Sequence, residues 1–313
     1  MPTFPSYMLQ RAACFRITNR ASAAVSMKRP RDDTDDANSL SPPHHSLSSH
    51  PTTLQQHFPP PLPFSFDILK RITLRGPAGD RTFYWEDELV HVMFDAFPKA
   101  SVHLLILPKD TSIDTLEVLA DRVDADASST AAASVATPST GEASATTIMD
   151  AVNRNKSLQL LEHMIGIGNS IVALIKSTEP SLHHLTFQLG FHSVPSLKHL
   201  HMHVMSQDFE RGPALKNKKH YLSFCTAFFL HASTVLLEFK RLTMLKAAAT
   251  TSNNSTTAAT MLPMRHQVTQ WRSAGAIIEG SHEMKCFWCG MAHKTMPALT
   301  SHLGSCTNNR CRP

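Results

Sequence analysis

The sequence predicts a fold of the α+β class, an antiparallel sheet with helices, followed by a small C-terminal module. Three observations predict it. Apolar segments of strand length and segments of helical periodicity follow one another along residues 64–245. Within the run 199–205, histidines alternate with apolar residues, a pattern typical of a strand. Cysteines and a histidine cluster within residues 286–306 with the spacing of a metal site.

The elements of the body are predicted from periodicity and from turn residues. Predicted strands span residues 81–85, 89–95, 103–107, 185–191 and 198–205. Predicted helices span 65–72 with Ser65 as the cap, a segment that begins at Thr111 or Ser112, the apolar stripe 158–175 before Pro180, and 224–242. The order of strands and helices favours an antiparallel sheet with helices packed on it.

Composition divides the chain into five parts. Residues 1–63 are predicted to be a disordered leader, because they have no hydrophobic period. A body at residues 64–245 contains a low-complexity insertion, 122–157, which we expect to be a surface loop. Residues 246–262 are predicted to be a linker, and residues 263–313 a separate zinc finger.

The leader carries two competing targeting signals. Residues 1–31 contain six Lys or Arg, no acidic residue, and many Ser and Ala, which is typical of a mitochondrial transit peptide. Alternatively Met27 is the start, and the basic segment 28–31 is a nuclear import signal. Both hold if alternative starts are used. We expect a nuclear protein, with mitochondrial targeting through residues 1–31 as the second address.

Charge is distributed unevenly along the chain. Residues 198–313 hold 14 Lys or Arg against 5 Asp or Glu, whereas residues 32–197 hold 10 against 20. A basic half suggests a polyanionic partner such as nucleic acid. No uninterrupted apolar run approaches the roughly 20 residues needed to cross a bilayer, so we expect no membrane partner.

The histidine run is the most informative stretch of the chain. On a strand, the imidazoles of His199, His201 and His203 would project from one face. The apolar residues that would enter the core are Leu200, Met202 and Val204. Two other interpretations stay open: histidines on a solvated strand, and ligands that share a zinc ion.

The same run resembles the motif of the histidine triad hydrolases and transferases, in which three histidines alternate with apolar residues. A longer match resembles the aprataxin family, the branch that removes adenylate from DNA 5′ ends. The resemblance covers about residues 64–121 and 158–313. The segments that carry it are 97–100, 103–108, 191–198, 206–209 and 215–220.

The resemblance implies a covalent mechanism that requires no cofactor for its chemistry. His201 would attack the α-phosphorus of the adenylate, forming an adenylyl-histidine and expelling a DNA 5′-phosphate, and water would then release AMP. His199 would orient His201 by accepting its other ring N–H through a backbone carbonyl. His203 would donate hydrogen bonds to phosphate oxygens.

Six further site residues are predicted around the triad. Lys219 and His192 are assigned to the catalytic group by the resemblance, and Ser196, His103 and Lys216 to phosphate or nucleotide binding. Asp95, at the end of the second predicted strand, is a charged acceptor suited to ribose hydroxyls. Each has an alternative role: the lysines as solvated surface, His103 as a core residue, Asp95 as the cap of a turn.

The C-terminal segment predicts a structural zinc site. Two cysteines in a Cys-x-x-Cys knuckle and a His-x-x-x-Cys pair on a helix at 297–303 give four ligands in tetrahedral spacing. The predicted ligands are Cys286, Cys289, His302 and Cys306, with Cys311 and His293 as substitutes. The last cysteine departs from the Cys₂His₂ set frequent in the related family.

These observations favour a DNA-repair hydrolase whose partner is DNA with 5′-adenylated ends or nicks, whose product is AMP, and which works beside repair proteins. One alternative is a histidine triad hydrolase of small adenosine phosphoramidates or dinucleoside polyphosphates. Another is a non-catalytic, zinc-dependent nucleic-acid-binding protein. If the finger only binds DNA, removing zinc should weaken DNA binding more than hydrolysis of a small substrate.

Overall fold

The computed structural model of the chain describes residues 65–76, 83–134, 149, 152–251, 262–281 and 283–311. The leader predicted at residues 1–63, with its two targeting signals, lies outside the described residues. Part of the predicted insertion, residues 135–148, 150 and 151, also lies outside them, as does the segment 252–261.

One antiparallel sheet organises the described residues, which confirms the α+β class. Its six strands follow the spatial order β1-β2-β3-β5-β4-β6, and every neighbouring pair is antiparallel. The strands are β1 (Phe83–Glu86), β2 (Val90–Phe94), β3 (His103–Pro108), β4 (Phe187–His192), β5 (Met202–Ser206) and β6 (Phe229–His231). A second, two-stranded sheet pairs β7 (Met284–Lys285) with β8 (Ala292–His293).

Seven helices accompany the sheets within the described residues. They are α1 (Ile68–Arg75), α2 (Leu116–Ser134), α3 (Lys156–Thr178), α4 (Lys218–Cys225), α5 (Ala232–Thr251), α6 (Met264–Ser281) and α7 (Met296–Ser305). A 3₁₀ turn at Phe209–Arg211 follows β5.

The main core lies between the sheet and helices α2, α3, α5 and α6. Leu104 of β3 and Val204 of β5 meet Leu161 and Ile171 of α3 in this cluster, and all four side chains are fully buried. The stripe predicted at 158–175 is therefore confirmed as the buried face of α3. Burial of such apolar side chains provides most of the free energy that stabilises a domain.

Helix α3 is also, by length and composition alone, able to cross a membrane. The prediction from uninterrupted apolar runs overlooked it, because Glu162 and Asn169 interrupt the run. Its buried face packs on β3, β4 and β5, as expected of a core helix in a folded domain. Length and composition are weak evidence beside that packing.

The prediction of a surface loop at 122–157 is wrong for both ends of that segment, which are helical or buried. Helix α2 continues through residue 134, and Val123 is fully buried in the main core. Val152 is buried in the same cluster, and Asn155 Nδ2 donates a 2.8 Å hydrogen bond to the Val123 carbonyl. Val123 extends the apolar stripe of α2, whose period the low-complexity composition obscured.

The predicted linker and finger boundaries also differ from the structure. Helix α5 extends to Thr251, well into the predicted linker 246–262. Met264 and Val268 of α6 are buried in the main core, so α6 belongs to the body and not to the finger predicted at 263–313. The boundary at residue 263 was predicted from the low-complexity segment before it. That composition gives no information about the apolar stripe of α6, which begins just after it.

Other predicted boundaries shift for local reasons. Ser65 is not a cap, because α1 begins at Ile68, after Asp67. Helix α2 begins at Leu116 and not at 111 or 112, since Asp110 first closes a turn onto the Ser112 N–H at 3.0 Å. The predicted helix 224–242 is instead α4, β6 and α5, because Thr226 ends α4 and the next residues pair with β4.

We predict that Gly168→Ala destabilises the protein. A Cβ at Gly168 would lie 2.5 Å from Leu189 Cδ2 and 3.3 Å from Met202 Cε and Val204 Cγ2, so either the Leu189 side chain would have to move within the core or α3 would have to shift from the sheet. Overpacking of this kind costs about 1–3 kcal/mol. Urea unfolding measures the change in the free energy of unfolding.

Gly166→Ala is the matched control, because a Cβ there meets nothing within 4 Å on the same helix. Alanine favours a helix by about 1 kcal/mol over glycine, so the control should be neutral or stabilised. Equal stability of the two variants would contradict the close packing of α3 on the sheet.

Candidate active site

The histidine run does not lie on one strand, which corrects the sequence prediction. Strand β5 begins only at Met202, so His203 is on it while His199 and His201 precede it. His199 has a φ of 74°, a left-handed conformation that non-glycine residues rarely adopt. The preceding loop leaves the sheet because the Leu200 N–H donates to the Ile113 carbonyl at 2.9 Å. Burial of Leu200 and Met202 in the core is nevertheless as predicted.

His199 holds His201 through its backbone. The His201 Nδ1 lies 2.8 Å from the His199 carbonyl oxygen, which accepts a hydrogen bond from it. The His199 ring is fully buried, and its Nε2 donates to the Pro108 carbonyl at 2.9 Å. Because a neutral imidazole carries one proton, the bond to the His199 carbonyl places the proton of His201 on Nδ1 and leaves a lone pair on Nε2.

A second chain of hydrogen bonds fixes the proton of His203. The Lys99 backbone N–H donates to His103 Nδ1 at 3.2 Å, so the proton of His103 is on Nε2. That Nε2 donates to His203 Nδ1 at 2.9 Å. The proton of His203 is therefore on Nε2, a buried atom with no acceptor among the described residues.

Aromatic rings form one wall of the site. The Phe224 ring, on α4, lies 4.6 Å from the His192 ring centroid, 5.3 Å from that of His203 and 5.4 Å from that of His103. The rings of His192 and His203 are 4.4 Å apart. His192, predicted as a site residue, is thus stacked beside the triad, and its Nε2 also has no acceptor among the described residues.

Burial keeps these imidazoles neutral at pH 7. Desolvation lowers the pKa of His103 and of His199 to about 4, and that of His192 to about 3. It also lowers the pKa of His201, and it holds the pKa of His203 well below the ordinary value. A nucleophilic imidazole must be neutral, so this environment suits His201 for attack on phosphorus.

A carboxylate and a lysine lie beside the histidines. Asp95 Oδ2 is 3.6 Å from His103 Nε2, and its Oδ1 accepts the Phe97 N–H at 2.6 Å. Burial would raise the pKa of Asp95, but the groups around it, including Lys99, hold that pKa below the ordinary value. Asp95 therefore caps a turn, one of its two predicted roles, and its second oxygen faces the histidines.

Lys99 is a site residue that the sequence prediction missed. Burial lowers its pKa, the nearby Asp95 raises it, and its Nζ donates to the Phe97 carbonyl. It lies close enough to Lys216 for the two charges to interact. The signal was present, because Lys99 belongs to one of the segments that carry the family resemblance.

The remaining predicted phosphate ligands are exposed. Ser196 lies in the loop before His199, Lys216 precedes α4, and Lys219 is in its first turn. Asn217 caps α4 by accepting the His220 N–H at 2.9 Å, which positions both lysines at the start of that helix. Their roles toward a phosphate stay predictions.

A second group of side chains forms a candidate metal site at the C-terminus. The donor atoms of four residues all lie within 4.8 Å of one another, and these residues are Cys286, Cys289, His302 and Cys306. Two sulfurs, those of Cys286 and Cys306, are 3.9 Å apart. These are the four predicted ligands, and their side chains could hold a metal ion.

The two predicted substitute ligands lie outside this group. Cys311 is buried against the body, where its sulfur lies 3.1 Å from Thr186 Oγ1. The His293 ring is 4.6 Å from that of His302, but His293 is not among the four residues whose donors converge.

Asp95, His103 and His203 also bring three donor atoms within 4.8 Å of one another. Their hydrogen bonds argue against a metal there, because His103 Nδ1 is already an acceptor and its Nε2 must carry the proton. A metal ion on His103 Nε2 would displace that proton and break the hydrogen bond to His203 Nδ1. His103 and His203 form a hydrogen-bonded relay, and Asp95 lies beside it, 3.6 Å from His103 Nε2.

The metal-site module is packed on the body rather than held apart by a linker. The Tyr221 hydroxyl donates to the Lys285 carbonyl at 2.8 Å and accepts the Phe287 N–H at 3.0 Å. The Phe209 and Phe287 rings meet edge to face at 5.1 Å. The buried cluster that contains these residues also contains Phe224, the aromatic wall of the histidine site.

Helix α6 packs against the loop that leads to His199. A Cβ on Gly275 would lie 1.9 Å from Ser193 Oγ, so only glycine permits this approach of the helix to the loop. Two ion pairs hold α6 on α2: Arg272 with Glu117 at 2.9 Å and Arg265 with Asp121 at 2.8 Å. Helix α6 was not predicted from the sequence.

Comparisons with known proteins place this arrangement in a family. The family described as "Scavenger mRNA decapping enzyme C-term binding" matches residues 142–220. Aprataxin of Danio rerio is 29% identical over 219 residues, which cover 70% of this chain and 48% of that protein. Aprataxin of Gallus gallus is 31% identical over 219 residues, which cover 70% and 49%.

A crystal structure of the aprataxin ortholog Hnt3 in complex with DNA aligns with 77% of this chain and 93% of that one, at 22% identity and a TM-score of 0.43. The chain spans about half the length of the curated relatives named above.

An antiparallel sheet that positions three alternating histidines around one buried pocket defines a histidine triad protein. Within that class, the chain belongs to the aprataxin family.

We predict that the free energy of unfolding decreases as the pH falls from about 6.5 to 4. The unfolded chain binds protons on its histidines near pH 6.5, whereas folded His192, His103 and His199 bind them only near pH 3–4. Their contribution is full above pH 6.5, and each histidine removes up to about 1.4 kcal/mol per pH unit below it.

Urea unfolding at pH 7.0, 5.5 and 4.5 measures this slope. His103→Gln should make it shallower, and His266→Gln, an exposed position on α6, should leave it unchanged. Identical slopes for wild type and His103→Gln would contradict the assignment of a buried, neutral imidazole.

We predict that Tyr221→Phe loosens the metal-site module. The change leaves the partly buried Lys285 carbonyl and Phe287 N–H without their partner, and each lost hydrogen bond costs about 0.5–1.5 kcal/mol. Metal release to a chromogenic chelator should accelerate. The control Thr269→Ala removes an exposed hydroxyl from α6 and should release metal at the wild-type rate.

Proposed function

We propose that this chain is a hydrolase that removes AMP from 5′-adenylated DNA through a covalent adenylyl-histidine intermediate. The observation that carries the proposal is the hydrogen bond from His201 Nδ1 to the His199 carbonyl. It holds the ring in the tautomer whose Nε2 lone pair is free for attack. The family to which the chain belongs supplies the substrate class.

In the first step, the Nε2 lone pair of His201 forms a bond to the α-phosphorus. The bond between that phosphorus and the bridging oxygen of the DNA 5′-phosphate breaks, and its electron pair leaves with the DNA. The ring then carries a positive charge, which the His199 carbonyl stabilises through the Nδ1–H. In the second step, water attacks phosphorus and gives up one proton to solvent, the P–N bond breaks, its electron pair returns to Nε2, and AMP is released.

The Nε2–H of His203 is the donor that we assign to a non-bridging phosphate oxygen. It is fixed in place by the relay from Lys99 through His103, and it has no acceptor among the described residues. Donors held in place before the reaction stabilise charge that develops in the transition state. The charge of Lys99, beside the same pocket, acts in the same direction.

The predicted outer residues complete the proposal. We assign the second oxygen of Asp95 to the ribose hydroxyls and His192 to the DNA side of the pocket. Ser196, Lys216 and Lys219 are assigned to phosphate groups at the exposed edge. The excess of basic residues after residue 198 supports a polyanionic substrate.

We also propose that the C-terminal group binds Zn²⁺ with a structural role. Zn–S bonds of about 2.3 Å in a tetrahedron place two sulfurs roughly 3.8 Å apart. The Cys286 and Cys306 sulfurs, at 3.9 Å, match that separation. A closed set of four protein ligands is typical of structural zinc, which here would hold the module against α4. The chemistry at His201 needs no metal.

Localisation to the nucleus, with residues 1–31 as a mitochondrial address, remains part of the proposal. Interaction with repair proteins is proposed as well, since an enzyme that restores a DNA end must be followed by a ligase activity.

We predict that His201→Ala lowers AMP release from 5′-adenylated nicked DNA by at least about 10³-fold, as expected for the loss of a nucleophile. Acid quenching of the wild type during turnover should trap AMP on His201, which peptide mass spectrometry locates. His163→Gln, a half-exposed histidine paired with Asp87 on the far hairpin, is the control and should keep full activity.

The same assay with a free adenosine phosphoramidate tests the substrate class. AMP release from the small substrate alone would overturn the assignment to DNA. Turnover by His201→Ala at the wild-type rate would overturn the assignment of the nucleophile.

A further inference from the structure

A second cavity lies between the metal-site module and the main sheet. Its volume is about 540 Å³, within the range of roughly 300–1,000 Å³ typical of small-molecule sites. The residues that line it, here called the knuckle cleft, are Gln207, Phe287, Trp288, Asn308 and Arg310. None of them belongs to the histidine site or to the metal ligands.

The side chains of the knuckle cleft combine three kinds of recognition. Phe287 and Trp288 offer aromatic surface, on which nucleobases stack whatever their identity. The amide of Asn308 can pair with the edge of a base, and so can the Oε1 of Gln207, whose Nε2 already donates to Gln188 Oε1 at 3.2 Å. The guanidinium of Arg310 suits a phosphate, and Arg310 is exposed with no hydrogen bond or ion pair to the described residues.

One buried polar atom beside the cleft also lacks a partner. The indole Nε1 of Trp288 has no acceptor among the described residues. That atom is shielded from solvent, so a ligand in the cleft would contact Trp288 through its ring and not through this donor.

The cleft lies on the same side of the sheet as the reacting histidine. Side chains two residues apart on a strand share a face, and Met205 of β5, which shares that face with His203, is buried under the module. Gln207 follows four residues after His203, about 13 Å along an extended chain. That distance equals about four nucleotide steps at the 3.4 Å rise of a duplex strand.

We propose that the knuckle cleft binds one unpaired nucleotide of the substrate strand, with its base against Phe287 and Trp288 and its phosphate on Arg310. This inference rests on the proposed function, because it requires a nucleic-acid substrate at His201. It adds a specificity element: the enzyme would prefer ends at which a nucleotide near the adenylate is unpaired. A base whose face lies against these aromatic rings has left the stack of its own duplex, so the bound nucleotide is unpaired.

The test measures binding without catalysis. Nicked DNA that carries a plain 5′-phosphate is titrated against the metal-loaded protein, with one abasic position moved stepwise away from the nick. In the wild type, one position should weaken binding by about 10-fold, the loss expected when a stacked base is removed. Arg310→Gln should weaken binding of the intact DNA and should reduce the effect of that abasic position.

Lys294→Gln is the matched control, an exposed cation on the same module that does not line the cleft. It should change the affinity by no more than about 2-fold, as expected of one peripheral phosphate contact. Metal content and the unfolding temperature of each variant confirm that the module is intact. Equal losses for Arg310→Gln and Lys294→Gln, or the same affinity at every abasic position, would overturn the inference.

A titration with a deoxynucleoside 5′-monophosphate, followed by tryptophan fluorescence, separates a free nucleotide from one within a strand. A mononucleotide that binds as tightly as the DNA would overturn the assignment to the substrate strand. The proposed hydrolase function is judged by the His201 assay alone, which does not involve Arg310. Arg310→Gln should hydrolyse a free adenosine phosphoramidate at the wild-type rate, so the two failures are distinguishable.

Discussion

The hydrogen bond between His201 Nδ1 and the His199 carbonyl is the contact around which the site is organised. A carbonyl can reach the ring two residues later only if the backbone turns, and His199 turns it by adopting a φ of 74°. A left-handed residue that is not glycine needs support from its surroundings. Here the support comes from the His199 ring on the Pro108 carbonyl and from the Leu200 N–H on the Ile113 carbonyl.

The tautomers of His201 and His203 that the proposed chemistry needs are thus both set by contacts with the backbone. The His199 carbonyl leaves the lone pair of His201 Nε2 free toward substrate. The Lys99 N–H, through His103, fixes His203 Nε2–H as a donor. Since burial keeps both rings neutral, neither role depends on a proton taken up from solvent near pH 7. In the proposed mechanism, the nucleophile and the oxyanion donor are therefore set before substrate arrives.

The sequence predicted the class of fold and the four residues whose donor atoms converge at the candidate metal site, because each has a short-range pattern. Alternation identified Leu200 and Met202 as core residues, and cysteine spacing identified the ligands. The left-handed turn at His199 could not be predicted, because alternation is the same whether or not the chain leaves the sheet. The contact of the Lys99 backbone N–H with His103 could not be predicted either, because a backbone donor carries no residue signature, although Lys99 itself lies in a segment that carries the family resemblance.

Boundaries were less predictable than elements. Helix α6 looked like part of the finger because it follows a low-complexity stretch, yet Met264 and Val268 complete the main core. The docking of the module was equally hidden, since it depends on Tyr221, a residue of α4 distant in sequence from Phe287. Long-range contacts of this kind depend on tertiary packing, which local composition does not encode.

The shared apolar cluster has a consequence for shortened forms of the protein. A premature stop between β7 and α7 would uncover Phe209, Tyr221 and Phe224 at once, since all three lie beneath the module. Such a fragment would retain every histidine of the triad, but it would expose an apolar surface that chaperones and proteases recognise. Loss of residues 286–313 would thus lower the amount of folded protein, in addition to removing the candidate metal site.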